Sequence, residues 1–368
     1  MTISTETPDS PAGAQSKHTR TAGRAGHPET HKAIALVLAL TGGLSLILAL
    51  FVSVAVNSGP HGVRIAVAGP PPAVTQIQAG MGQLAGADAF EVNFVSDEAA
   101  ARSALEDRTA DGAIVVGQNG PVVYTASAGS PVIAQALSTA AAHLADPTAA
   151  GPAVVDVVAL PSGDSRGTGL PAGSFPMIIA GLALGAACAF ALRSRWTVVT
   201  TIVGGSVVIG LSFAGILAWL GVSGGHYLAE SAVIAVTISS GALVVAGLVR
   251  LIGTAGAAIG ALLLLLVGNP LSGIATSPRF LPGPWGEFGQ WLPTGAGGTL
   301  LRSVSYFPAA SVGWQLTVLL AWAALGLVGV IYGRAKLGHG AEAAVAQSGP
   351  AVLEPVEPEL AVAEPSRG

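Results

Sequence analysis

The sequence predicts an α-helical polytopic membrane protein with six transmembrane helices in a 1+5 arrangement and an inserted α/β extracytoplasmic domain. Three observations predict it. The stretch from Phe175 to Tyr332 holds five long apolar runs with no charged residue in their interiors. A hydrocarbon core about 30 Å thick takes roughly 20 helical residues to cross, and only a helix satisfies its own backbone groups in lipid. The 368-residue chain is 51% hydrophobic and only 10% charged, whereas soluble domains carry roughly 25% charged residues. A further apolar run stands alone at residues 33–57, ahead of a polar, acidic stretch at residues 58–170.

In chain order, residues 1–32 are rich in Thr, Ser, Pro and Gly and read as a disordered cytoplasmic tail. His27 and His31 have helical ligand spacing, but Pro28 lies between them and no carboxylate or Cys cluster supports a metal. Residues 33–57 form the first transmembrane helix, preceded by Lys17, Arg20, Arg24 and Lys32. The core of a signal peptide would run only about 7–15 residues. This longer run and its long polar lead favour an uncleaved anchor with a cytoplasmic N-terminus.

Residues 58–170 carry four Arg and no Lys against ten Asp and Glu, opposite to the bias of a short cytoplasmic loop. The pattern within is α/β. Val63–Val67 and Phe90–Phe94 alternate like half-buried strands. Between them Val74–Leu84 reads as a helix. Ser96 or Asp97 caps a second helix running to about Asp107, with Glu98 and Arg102 one turn apart. Ala113–Val116 and Val122–Thr125 make a hairpin across Gln118-Asn-Gly-Pro121. Pro131–Leu144 is a helix with His143 on its surface, Val154–Val158 a last strand, and Gly and Pro then give a linker to Pro171.

The remaining spans fall near 173–192, 197–220, 229–249, 252–268 and 311–333, within a five-helix transmembrane domain at 171–335. Arg193, Arg195, Arg250, Arg334 and Lys336 all lie at joins on one side, which the positive-inside rule makes cytoplasmic. The protein is therefore expected in the cell membrane, multi-pass, with both termini cytoplasmic and residues 58–170 outside. Residues 336–368 read as a disordered acidic cytoplasmic tail. Arg279 and Arg302 fall on the outer side against the rule. His226 and Glu230 read as interfacial residues at the outer end of the fourth span.

Several chemistries are excluded. The lone Cys188 permits no intramolecular disulfide, and Lys17, Lys32 and Lys336 stand in no phosphate-binding loop. The absence of ionisable residues inside the spans argues against proton-driven antiport. No paired carboxylates, catalytic triad or metal-ligand cluster is present, so no enzyme activity, cofactor, metal or nucleic-acid partner is expected. Gly181-x-x-x-Gly185 and Gly256-x-x-x-Gly260 read as close helix contacts within one bundle, ahead of a homodimer seam.

The outer segment 269–307 is the most distinctive stretch. Its candidate functional residues are Asn269, Pro270, Arg279, Pro282, Trp285, Trp291, Pro293 and Arg302. Prolines cut it into pieces, and Trp285, Trp291, Tyr306 and Phe307 suit a membrane interface. Two short helices, about 285–291 and 297–306, are expected to dip into or lie on the outer leaflet, with Arg302 facing the rim. With Asn269-Pro270, Leu281-Pro282 and Leu292-Pro293 in place, the chain over roughly 33–335 resembles the phage-infection-protein (YhgE/Pip) branch of the type-2 ABC exporter permeases. The resemblance implies a permease-like membrane subunit in the lipid bilayer, usually paired, with a separate ATPase subunit where one exists. The sequence departs from that pattern at its cytoplasmic joins. Arg193-Ser-Arg-Trp196 and the join at Arg250 offer an ATPase little surface. Two readings follow: an exporter subunit for an apolar or amphipathic substrate, and a non-transporting membrane protein whose outer domain serves envelope assembly, sensing or surface recognition.

Overall fold

The computed structural model describes residues 28–85, 88–118, 120–144 and 153–333. Residues 1–27 of the expected N-terminal tail, the expected C-terminal tail and the side chain of His143 lie outside the described residues, while residues 28–32, expected in the first tail, are helical. The described residues are mostly helical, and six helices among them are long and apolar enough to cross a membrane: His31–Val56, Gly169–Ala191, Arg195–Trp219, Tyr227–Ile252, Thr254–Leu271 and Gly313–Tyr332. The described residues fall into two compact units, divided between Ala49 and Leu50. The first contains most of helix α1 (Pro28–Val56).

The second unit begins with a five-stranded sheet: β1 (Val63–Ala68), β2 (Phe90–Phe94), β3 (Gly112–Gly117), β4 (Gly120–Thr125) and β5 (Ala153–Asp156) in spatial order β2-β1-β3-β4-β5. β1 runs parallel to β2 and β3, β3 and β4 form the antiparallel hairpin, and β5 returns parallel to β4. Between the strands lie α2 (Pro71–Ala85), α3 (Glu98–Glu106) and α4 (Pro131–Leu144). Asp97 caps α3 by accepting the Ala100 N–H at 2.8 Å.

Alternation along the strands assigns the two faces. Val63, Ile65, Val67, Ile114 and Val123 pack on Val74 of α2 and on Ile133 and Leu137 of α4. Ala66, Ala113 and Tyr124 pack on Ala101 and Leu105 of α3. Each face also takes an aromatic from far along the chain, Phe280 on the first and Phe307 on the second. The expected linker before Pro171 is instead a folded turn. A 3-10 turn at Ser162–Asp164 places the buried Asp164 carboxylate against the N–H groups of Thr168 and Gly169, at 2.9 and 2.8 Å.

Helix α7 (Tyr227–Ile252) is the axis of the helical part and the most buried of the six apolar helices. Helices α5 (Gly169–Ala191), α6 (Arg195–Trp219), α8 (Thr254–Ala261) and α12 (Gly313–Tyr332) pack around it. Glycine permits the approach, since small residues let helix backbones come close in lipid. A Cβ on Gly185 would run into the Ala242 backbone, one on Gly210 would lie 2.5 Å from the Ser231 carbonyl, and one on Gly326 would strike Leu243 and Val244. Gly256 and Gly260 also face α7, so both G-x-x-x-G motifs are used inside the bundle. Gly185→Val is expected to lower the thermal stability of the detergent-solubilised protein by about 1–3 kcal/mol, as overpacking does. Unchanged melting would remove the claim that α5 and α7 are in backbone contact.

The two ends of this bundle differ. At one end Arg250 donates to the Leu192 and Arg193 carbonyls at 2.8 and 3.0 Å, beside Arg195 at the start of α6. The other end carries the sheet. There Glu230, expected at an interface, is only 1% exposed. It accepts from the Ser223 hydroxyl at 2.6 Å and the Gly224 N–H at 3.2 Å, which closes the α6–α7 turn on itself.

Candidate functional site

The segment 269–307 joins sheet to bundle. After α8 the helix widens into a π segment at Leu262–Gly268 and ends in α9 (Asn269–Leu271). Pro270 has no N–H for an α-register bond, and a widened ladder next to it fits that loss. A short 3-10 turn at Pro278–Phe280 leads to α10 (Trp285–Gln290) and α11 (Pro293–Tyr306). α11 starts four residues ahead of the expected 297 because Pro293 suits a first helical turn. Its glycines serve contacts: Gly297 meets Thr237 of α7, and Gly298 meets Ile274.

The sheet docks on this segment through a dense polar seam. The Gly59 and His61 N–H groups donate to the Phe280 and Arg279 carbonyls at 3.1 and 2.8 Å. The Ser130 hydroxyl donates to the Thr276 carbonyl at 2.7 Å. Asp111, just ahead of β3, takes two guanidinium groups, Arg64 at 3.3 Å and Arg279 at 3.0 Å. Arg279 also donates to the Gly62 carbonyl. Burial holds its guanidinium below the usual arginine range.

Arg108 is the centre of the seam. It has φ 62°, the only non-glycine residue with positive φ among those described. It follows Asp107, the C-cap of α3, a place where glycine usually stands and where a side chain costs about 1–2 kcal/mol. The side chain crosses to α11, where its Nη1 donates to the Ser303 hydroxyl at 2.6 Å. The guanidinium lies 5.1 Å above the Phe307 ring. Burial, with repulsion from Arg302 and Arg64 only partly offset by Asp111, pushes it down to about 10. It therefore stays charged at neutral pH.

From Arg108 a chain of hydrogen bonds runs through the outer segment. Ser303 donates to the Thr299 carbonyl at 3.0 Å, and the Thr299 hydroxyl donates to Gln290 at 2.6 Å. Gln290 donates to the Ser272 carbonyl at 3.0 Å, and the Ser272 hydroxyl donates to the Asn269 carbonyl at 2.7 Å. The chain ends at a cavity of about 30 Å³ bordered by Asn269, Ser272, Thr237 and Thr294. That is room for a water molecule, and the buried Thr294 hydroxyl has no partner among the described residues.

The structure thus divides the sequence-predicted residues. Asn269 and Pro293 border the small cavity, with Pro270 beside them in α9. Arg279 and Trp291 border a larger crevice of about 670 Å³ between the sheet and the ends of α10, α11 and α12. Pro282 accepts the Trp285 N–H at 3.3 Å, and Trp285 is exposed, edge-on to Phe288. Trp291 stacks edge-to-face on Trp314 with centroids 4.5 Å apart.

Two expectations fail here. Arg302 does not face a rim: it is 4% exposed and donates to the Ile274 carbonyl at 2.6 Å, locking α11 to the turn after α9. Phe307 is no interface anchor but part of the sheet core, and the Tyr306 hydroxyl donates to the Val222 carbonyl. Sequence reasoning missed Arg64, Arg108 and Asp111 as seam residues. The usable signal was Arg108 itself, a long cation in the turn where helix α3 ends. Among the described residues no group of three His, Cys, Asp or Glu is placed to hold a metal. No protein family, curated protein or solved structure matches this chain.

Proposed function

We propose that the protein is a permease-like membrane subunit of a bacterial envelope exporter, without its own ATPase, acting on an apolar or amphipathic substrate. The observation that carries this reading is the crevice of about 670 Å³ where the sheet meets the apolar helices, lined by three arginines together with Trp291 and Trp314. An amphipath leaving lipid needs such a mixed surface. In this reading the six helices cross in the 1+5 order and the sheet lies outside the cell. The end bearing Arg193, Arg195 and Arg250 is cytoplasmic, opposite the sheet, in keeping with the positive-inside rule. The hydrogen-bond chain from Arg108 to Asn269 gives the sheet a route to bias the bundle.

The second reading, a non-transporting protein whose outer part serves envelope assembly, sensing or recognition, is favoured by the joins at the far end. Leu192–Ser194 is all that separates α5 from α6, and Gly253 alone separates α7 from α8. Neither offers an ATPase a platform. Co-purification of an ATPase, together with substrate retention on deletion of the gene, supports the exporter; neither result leaves the second reading. Thiols introduced at Ala99 and Arg193 test the topology, because both positions are exposed and the native Cys188 is buried. Labelling of both from the same side of the membrane overturns it. Arg302→Ala is expected to insert normally and to lose most activity, since α11 loses its tie to Ile274; full activity at equal expression would exclude the outer segment from function.

A further inference from the structure

The charges at the seam do not balance locally. Four guanidinium groups, Arg64, Arg108, Arg279 and Arg302, converge where the sheet meets α11. Among the described residues Asp111 is the one carboxylate that pairs with any of them, and it serves Arg64 and Arg279. Arg108 and Arg302 donate hydrogen bonds to hydroxyl and carbonyl oxygens alone. Glu91 and Glu287 also border the crevice, but both are exposed at its rim, where water screens them. Of the four arginines, Arg64, Arg108 and Arg279 border the crevice, and of these Arg108 alone has no carboxylate partner among the described residues, in a setting where unpaired charge is costly.

The same crevice holds a second unpaired group. Gln315 lines it, and its buried side-chain oxygen has no donor among the described residues. Trp291 and Trp314 complete the wall at the start of the apolar helix α12. Indole rings at the end of an apolar helix suit the level of lipid head groups.

We propose that this crevice is a binding site for an oxyanion of the phosphate or carboxylate class, carried on the head group of an amphipath. The oxyanion binds at Arg108, a hydroxyl or amine of the head group donates to Gln315, and the apolar portion leaves past Trp291 and Trp314. The site goes beyond the exporter reading and does not depend on it, because a sensor or assembly factor would bind the same chemistry.

The test is thermal unfolding of the full chain in a neutral detergent, with three additions compared: short-chain phosphatidylglycerol, phosphatidylcholine of the same chain length, and inorganic phosphate. A ligand of the folded state raises Tm by mass action. The expected result is a concentration-dependent rise with phosphatidylglycerol and none with phosphatidylcholine. Arg108→Gln should weaken the apparent affinity about tenfold, as expected for one charge-assisted hydrogen-bonding group. Glu287→Gln, at an exposed rim position, should tighten it about twofold by removing a repulsive charge. An equal rise with inorganic phosphate, lost in Arg108→Gln, supports the oxyanion site with a soluble source. Equal shifts with both lipids, or affinities for phosphatidylglycerol unmoved in Glu287→Gln and in whichever of Arg108→Gln and Arg108→Lys folds, overturn the proposal.

Discussion

Phe307→Ala is expected to loosen the sheet from the helices and to lower stability by about 3–5 kcal/mol, the usual cost of deleting a buried phenyl ring. The ring follows α11 yet lies under the sheet, packed in one cluster with Leu105 of α3, Tyr124 of β4 and Ala126. It is also the platform for the Arg108 guanidinium, 5.1 Å above it, a contact worth roughly 0.5–2 kcal/mol. A small cavity bordered by Leu105, Ser130, Ser277 and Phe307 already lies beside it, so the hole left by alanine would be hydrated rather than closed. Domains are stable by only about 5–15 kcal/mol, so the loss is a large share. Thermal unfolding in detergent measures it, and limited proteolysis should show earlier cutting between the sheet and α5. Phe94→Ala is the control, because Phe94 is exposed on the edge strand β2. If both variants melt alike, Phe307 does not hold the seam.

Much of the fold was legible because it rests on local periodicity. The alternation in Val63–Val67, the Asp97 cap and the long apolar runs each declare an element within a few residues, and the helix at Pro131–Leu144 falls where expected. What the sequence hides is pairing between distant segments. Arg108 and Ser303 are 195 positions apart, and nothing near either announces the other. Phe307 was misplaced because an aromatic beside an apolar span fits a membrane interface as well as a sheet core. Arg302 was misplaced for a related reason. Charge predicts exposure, but a guanidinium satisfied by a carbonyl such as Ile274's can be buried. Arg279 and Arg302 stand against the positive-inside pattern on the topology expected from the sequence, and the seam holds both, a constraint that short-range charge counting does not contain. The expected start of α11, at 297, fell four residues late because the Thr237 and Ile274 contacts that its glycines make lie on distant segments.

Asp111→Asn should be the most damaging single change of charge. The substitution keeps the shape of the side chain and removes the one carboxylate among the described residues that bridges the sheet to the segment 269–307. In the native protein it takes the Arg64 backbone N–H at 2.9 Å and the Arg64 side chain at 3.3 Å, while Arg279 reaches the same oxygen at 3.0 Å. Without the negative charge the two guanidinium groups repel each other, and the Arg108 guanidinium, which Arg64 already repels, adds to it. Removing one partner of a fully buried pair costs about 3–5 kcal/mol. These side chains keep 19–32% of their exposure, so water reduces the expected loss to about 1–3 kcal/mol. The cause can be separated from lost hydrogen bonding by salt. Repulsion among partly exposed charges fades as the screening length falls from about 10 Å at 0.1 M to about 3 Å at 1 M. The Asp111→Asn deficit should therefore shrink at high ionic strength, and adding Arg279→Gln to it should recover part of the loss. A double-mutant cycle reads that coupling directly, since residues sharing one network do not add. A deficit that ignores salt, with additive losses for the two substitutions, would mean that Asp111 holds the seam by shape and hydrogen bonding rather than by charge.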